Sequence, residues 1–431
     1  MNCLFNKWTT ILVWPMLFFS LTYIFYTETM YFKPDFSKES EALVIGRIVL
    51  DKITPNSPST AMLGAATSDR FSYDTAHITE GYTLLTSAPQ NIQFQPYLSQ
   101  VGLQGWFYSA IYNDLGFAQL KYLNLLCSML TAISLLFLTW GYSQSLGNRF
   151  AVIFLVSTAL SPWIVAFSNN LYWSPFLWFA PAGFAVCAYL CDNKWCKYAC
   201  LLMVLMSVFI KSLCGYEYIS TIIWFSCAIF LLDPFLPNPR FEKTQALKYT
   251  VCVFSLGVIG FMLALLVHAN LRADSLRDGI VSIFEHDVKR RTYGAASSFA
   301  ADKIVSASLT ATPLAVLKMY FTWKTPLLIS LPSLSFMILT GLAMVTLLYK
   351  FTAMHISRWR DFGLFFIFAF GPISWFVLAK SHSYVHPHLN FVLWYFGFVA
   401  AILYISVDGI IIFSRQSYQS LTKHFNFNNK V

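Results

Sequence analysis

The sequence predicts an all-α membrane protein: a polytopic transmembrane helical bundle of about ten spans, with extracytoplasmic loops that carry interfacial helices. Of 431 residues, 57% are hydrophobic and 11% charged, and the mean hydropathy of +0.57 lies well outside the range of soluble domains. The apolar residues form long continuous runs, without the residue-by-residue alternation of barrel strands. Within lipid each backbone amide must be satisfied inside its own segment, so such runs fold as helices. Residues 1–431 read as one integral membrane domain.

The first run, 9–27, follows Lys7 and has no small-residue cleavage site behind it, so it is expected to remain as an anchor. The other predicted spans cover 118–142, 150–167, 171–191, 198–210, 218–235, 249–267, 326–349, 362–379 and 389–413. Counting from a cytoplasmic amino terminus, the inner connectors and tail hold Arg149, Lys194, Lys197, Arg240, Lys243, Lys248, Lys350, Arg358, Arg360, Arg415 and Lys423. The short turns on the other side hold only Lys211 and Lys380, which predicts both termini in the cytoplasm.

Two long segments, 28–117 and 268–325, then lie outside and are candidate working parts. In the first, KESEALVIGRIVLDK reads as a helix, a Pro/Ser/Thr-rich turn region follows, and YLSQVGLQGWFYSAIY reads as a helix at headgroup level. In the second, Ile280, Phe284 and Val288 recur every four residues among charges, an interfacial amphipathic helix that ends near Gly294.

The net charge of +9 would suit nucleic acid, but the cations sit in connectors and form no stripe interleaved with aromatics. Lipid is the expected surface partner, and nucleic acid is not. Nine cysteines lie mainly in or beside apolar runs, which argues against a disulfide framework. Cys187, Cys191, Cys196 and Cys200 cluster at helical spacing. With a short turn between them and no histidine beside them, they read as reduced thiols at a cytoplasmic helix junction.

The unusual polar groups converge on the outer face. Ionisable residues near membrane depth are costly and mark functional sites by default. Glu39 and Glu41, two apart on one helix, cannot both enter one site. Glu39 suits the positive end of a helix that starts near Ser37. Glu41 shares a stripe with Val44, Ile45 and Ile48; burial there would raise its pKa toward that of a general base, making Glu41 the candidate catalytic residue. Lys211 and Glu217 flank SLCGY at the outer end of a span as candidate substrate contacts, with snorkelling to the interface as the structural alternative. In KSHSYVHPHLN, residues 380–390, Pro387 breaks the helix that would align His382 with His386, and no carboxylate lies in the turn, so a metal is not favoured and no cofactor is expected. Lys380, His382 and His388 instead suit a phosphate at the headgroup plane, joined by Arg290 and its neighbour Arg291; interfacial anchoring is the bland alternative.

This plan resembles the GT-C class of membrane glycosyltransferases, including those that decorate O-antigen. The likeness rests on the number of spans, the long first outer loop with SEALVIGRIV near its start, and the late basic and histidine turn. The acidic pair of that class is often adjacent, whereas Ser40 separates Glu39 from Glu41 here. The resemblance implies a polyprenyl-phosphate-linked sugar donor, a cell-surface glycan or lipid-linked acceptor, and inverting transfer on the periplasmic face. Glu41 would act as base, and Lys380, His382 and His388 as the phosphate clamp. The lack of a glycine-rich phosphate loop agrees with a lipid-linked donor. Two alternatives remain: an O-antigen ligase or polymerase, in which the loop around Arg290 would dominate and Glu41 would be dispensable, and a lipid or solute transporter, which would favour internal repeats and mid-span polar sites.

Overall fold

A computed structural model describes residues 2–28, 37–54, 62–69, 74–87, 91–116, 119–300, 302–323, 325–328, 336–353 and 358–428. The Pro/Ser/Thr-rich turn at 55–61 and residues 329–335 of the predicted span 326–349 fall outside them. The chain opens with helices α1 (Asn2–Thr27) and α2 (Ser37–Ile53). The first outer segment continues through strand β1 (Gly64–Thr67), helices α3 (Thr75–Thr79) and α4 (Gly81–Ser87), strand β2 (Gln93–Pro96) and α5 (Leu103–Asn113). The bundle follows as α6 (Leu120–Ser145), α7 (Asn148–Ala159), α8 (Pro162–Ser168), α9 (Phe176–Leu190), α10 (Lys194–Cys214), α11 (Ile219–Leu232) and α12 (Lys243–Arg272). The second outer segment holds α13 (Leu276–Ile283), a π-helical turn at Phe284–Val288, α14 (Lys289–Arg291), α15 (Lys303–Thr310) and α16 (Pro313–Thr322). The chain ends in α17 (Phe336–Ala353), α18 (Arg358–Leu378), α19 (Lys380–Val385), α20 (Pro387–Asn390) and α21 (Phe398–Asn428).

Among the described residues, five helices are long and apolar enough to cross a membrane: Leu120–Ser145, Lys194–Cys214, Lys243–Arg272, Trp359–Leu378 and Phe398–Tyr418. Two bent pairs, α7 with α8 and α15 with α16, raise the number to seven if each pair is one span. The chain is thus a polytopic helical membrane protein, and the described residues account for five to seven of the ten spans expected. Four of the expected runs form shorter apolar helices: Leu12–Thr27, Phe176–Leu190, Ile219–Phe235 and Phe336–Thr352.

Both bends share one local cause. Ser161 accepts a hydrogen bond from Ile164 N (3.1 Å) ahead of Pro162, and Thr312 accepts one from Ala315 N (3.1 Å) ahead of Pro313. A hydroxyl cap followed by proline starts a new helix rather than continuing the old one, because proline lacks the amide that the preceding turn needs. The axes turn by 66° at the first break and 105° at the second, and the second lies inside the predicted outer loop.

The all-α expectation misses a two-stranded antiparallel sheet that pairs Gly64 with Pro96 and Thr67 with Gln93. β1 is fully buried under α2. A Cβ on Gly46 would lie 2.0 Å from the Gly64 carbonyl oxygen, so only glycine lets the helix sit this close to the strand. As predicted, α2 begins at Ser37, and Val44, Ile45 and Ile48 are fully buried. Helix α5 buries Gln104, Tyr108 and Tyr112 and leaves Trp106 and Phe107 exposed, as a headgroup-level helix would. In α13 and the turn after it, Gly279, Ile283 and Asp287 face inward, while Ile280 and Phe284 face out.

The basic connectors expected to share one side do gather at one end of the bundle. There Lys350 bridges Asp361 of α18 and Asp408 of α21 (2.9 Å to Asp408), and Arg149 also pairs with Asp408. Two outer segments meet at the other end: Arg272 at the close of α12 donates to Leu98 O (2.9 Å), and Tyr293 donates to Val377 O (2.6 Å).

Candidate functional site

At that second end a cavity of about 800 Å³ opens between the two outer segments and the turn after α18. Glu39 and Ser40 of α2, Gln95 to Ser99 at and beyond the end of β2, Tyr172 and Trp173 before α9, Arg272, Asp287, Arg290, Asp302, His386 and His388 line it. An adjoining recess of about 380 Å³ adds Glu217, Arg291 and His382. An acidic group from early in the chain and basic groups from late in it therefore face one hollow.

The cations are held by a built network. Arg272 pairs with Asp287, both nearly sealed from solvent, and donates to Ser282 (3.0 Å). Asp287 is pushed up by its burial and pulled down by Arg291 and Arg272, and the pull wins, so it stays an anion below the usual carboxylate range. Arg291 feels burial but is held charged by Tyr97, Glu217 and Asp287 around it. Arg290 is exposed on the cavity wall and carries no ion pair among the described residues. A cation with no protein partner beside a polar cavity is the group best placed to meet an anionic ligand.

Three histidines line the same cavity and its recess. Ring centroids lie 4.9 Å apart for His382 and His386, and 5.7 Å apart for His386 and His388. Burial, with the neighbouring histidines and Arg291 and Arg290, holds His382 far below the ordinary imidazole range. His386 falls to about 4 by burial and the charges of His388, Arg291 and Arg290. Burial lowers His388 as well. Near neutral pH these rings are uncharged donors and acceptors, and the positive charge comes from the arginines. His386 Nδ1 and Trp173 Nε1 are buried at the wall without hydrogen-bond partners among the described residues, as expected where a ligand supplies them. Gly215 shapes the recess: a Cβ there would stand 2.3 Å from Glu217 Oε2.

The sequence-derived candidates divide. Glu217, Arg290, His382 and His388 line the cavity or its recess. Lys211 does not: its ammonium turns back to donate to Gly215 O (2.6 Å), closing the end of α10. Lys380 does not either, since it donates to Leu309 O (2.6 Å) and Ala311 O (2.7 Å), whose carbonyls are freed by the bend between α15 and α16. The proposed lysine of the clamp instead ties down a broken helix. Glu41 also points away from the cavity. It accepts from Tyr82 Oη (2.8 Å), Asn124 Nδ2 (2.9 Å) and Leu171 N (3.1 Å), joining α2 to α4, α6 and the turn before α9. Burial raises its pKa against the pull of these three donors. On the opposite face of the same helix, Glu39 reaches the cavity and accepts from Thr75 Oγ1 (2.7 Å). Arg272, Asp302 and the aromatic pair Tyr172 and Trp173 were not singled out as site residues; DK after FAA signals only a helix cap, which Asp302 is, through Ile304 N and Val305 N (both 3.0 Å).

No family model matches the chain, and no curated protein is similar to it. Among solved structures it is similar to ArnT from Cupriavidus metallidurans bound to undecaprenyl phosphate, at 13% identity over 92% of this chain and 78% of that one, with a TM-score of 0.36. A likeness at that TM-score carries no argument about function.

Proposed function

We propose that the protein is a membrane glycosyltransferase that moves a sugar from a polyprenyl-phosphate donor to a cell-surface glycan or lipid-linked acceptor in the outer cavity, with inversion. One observation carries this reading: Arg290, with Arg272 and the adjacent Arg291, lines the same hollow as Glu39. In this scheme Glu39 accepts the acceptor hydroxyl's proton as that oxygen bonds to the anomeric carbon. The bond from that carbon to the donor's phosphate oxygen breaks, and the electron pair leaves with the lipid phosphate, which the guanidinium groups stabilise. Neutral His386 and His388 and the indole N–H of Trp173 orient the sugar or the phosphate. The test uses membranes containing the full chain, a polyprenyl-phosphate sugar and a glycan acceptor. Arg290→Gln should raise the donor KM or lower kcat/KM by about 10- to 100-fold, a loss of roughly 1.5–3 kcal/mol for one charge-assisted contact. Unchanged donor dependence would remove the clamp.

The ligase-like alternative gains from the same geometry, since Arg290 lines the cavity and Glu41 does not. The donor separates the two readings. A transferase of the first kind uses a lipid monophosphate sugar, and a ligase-like enzyme requires a lipid pyrophosphate glycan.

A further inference from the structure

We propose that the hairpin between α9 and α10, at the end of the bundle opposite the cavity, is a tetrathiolate zinc site formed by Cys187, Cys191, Cys196 and Cys200. The proposal is independent of the transferase reading. Cys187 and Cys191 are four residues apart at the end of α9, and Cys196 and Cys200 are four apart at the start of α10, so each pair presents its sulfurs on one helical face. The short connection at 192–193 folds the two faces together: the sulfurs of Cys187, Cys191 and Cys200 all lie within 4.8 Å of one another, and Cys196 Sγ lies 2.8 Å from Cys191 Sγ. A tetrahedral zinc with bonds of about 2.3 Å to sulfur needs its four sulfurs about 3.8 Å apart; Cys187, Cys191 and Cys200 are already grouped within reach of one ion, and Cys196, in contact with Cys191 but outside that group, completes the set by a side-chain rotation at the start of α10.

Clustering at partial exposure distinguishes these four: Cys252 is half-buried as well, but it stands apart from any other thiol group among the described residues. An unreactive cysteine is normally buried as a small apolar group, as Cys127, Cys214 and Cys227 are here. The four in the hairpin are half-buried or exposed, at a junction held by a helix cap and an arginine contact. Asn193 caps α10 through Trp195 N (2.8 Å) and Cys196 N (3.2 Å). Arg240 donates to Leu190 O (2.9 Å), next to Cys191. A set pre-folded in this way binds metal without paying for its own ordering. Zinc binding releases the four thiol protons and leaves a complex of net charge −2, which Arg240, Lys194 and Lys197 at the same junction offset. This end of the bundle carries the excess of lysine and arginine that marks a cytoplasmic, reducing side, which favours a metal over disulfides. The proposal departs from the reading of these four as reduced thiols, because the tight turn that argued against a metal is what brings the two pairs together.

The full chain, extracted under reducing conditions and purified in detergent without chelator, should hold about one zinc by elemental analysis. Replacing the zinc with Co²⁺ should give sulfur-to-cobalt charge-transfer bands and the ligand-field bands of a tetrahedral thiolate. Cys187→Ser and Cys200→Ser should each lose the metal, and Cys252→Ser should keep it. The wild-type chain is also read by alkylation and mass spectrometry, so the test survives poor folding of a variant: all four hairpin thiols should be protected until a chelator is added. A chain free of zinc that gives no tetrahedral cobalt spectrum overturns the proposal. So does a hairpin alkylated freely before chelation, or one found as a disulfide between Cys191 and Cys196.

Discussion

Replacing the two early glutamates one at a time separates chemistry from architecture. Glu41→Gln keeps one acceptor oxygen but removes the charge from three hydrogen bonds, to Tyr82, Asn124 and Leu171 N. A bond to a charged acceptor contributes about 1.5–3 kcal/mol and a neutral one about 0.5–1.5, so the change forfeits about 3 kcal/mol in all. Lifting the desolvation that raises the Glu41 pKa returns part of this, leaving a net loss of about 1–2 kcal/mol. Glu41→Leu is harsher. Asn124 keeps its bond to Asn169 O (2.8 Å), but Tyr82 Oη and Leu171 N are left without an acceptor, at about 1–3 kcal/mol each. Glu39→Gln, by contrast, alters an exposed side chain whose described bond is to Thr75, so it should leave the fold intact and lower kcat by about 10²- to 10⁴-fold. The assay measures initial transfer rates in membranes, normalised to folded protein by fluorescence-detected size exclusion after graded heating. Glu41→Gln should lose heat resistance but keep near wild-type turnover per folded molecule. A fully stable, inactive Glu41→Gln together with an active Glu39→Gln would refute the assignment of the base to the cavity face.

Lys380→Met removes the ammonium that holds the Leu309 and Ala311 carbonyls, so heat resistance should fall while the donor KM of the folded fraction stays the same; a raised donor KM at unchanged stability would return Lys380 to the clamp. Acid should also weaken the fold through the histidine wall. His386 titrates near 4 in the fold and near 6.5 when unfolded, so the stability it contributes is present above about 6.5 and is lost as pH falls toward 4. His382 and His388 act in the same direction, whereas Glu41, raised in the fold, acts oppositely, and Asp287, lowered, titrates below this window. Heat resistance measured in detergent from pH 7.5 to 4.5 should therefore decline below about 6.5, and His386→Asn should flatten the decline. An equally steep decline in that variant would assign the effect elsewhere.

Composition and periodicity alone determined the class, the helix at 37–53, the two outer segments and the gathering of basic connectors at one end, because burial in lipid and helical repeat act locally on every residue. The same stripe that placed Glu41 beside Val44, Ile45 and Ile48 was right about its burial. Burial on the core side, however, put the carboxylate behind the cavity wall and left Glu39 facing the hollow. Which side of α2 meets a cavity depends on β1, α4 and the Asn124 side chain, contributed by other parts of the chain. Likewise, the two carbonyls that occupy Lys380 exist only because a threonine–proline break turns α15 away from α16 some 70 residues earlier. The outer turn's histidines could be found by reading along the chain, but their neutral state and their sharing of a cavity with Arg290 could not. Charge state and facing direction are set by what lies across the gap, and only the folded chain brings those partners together.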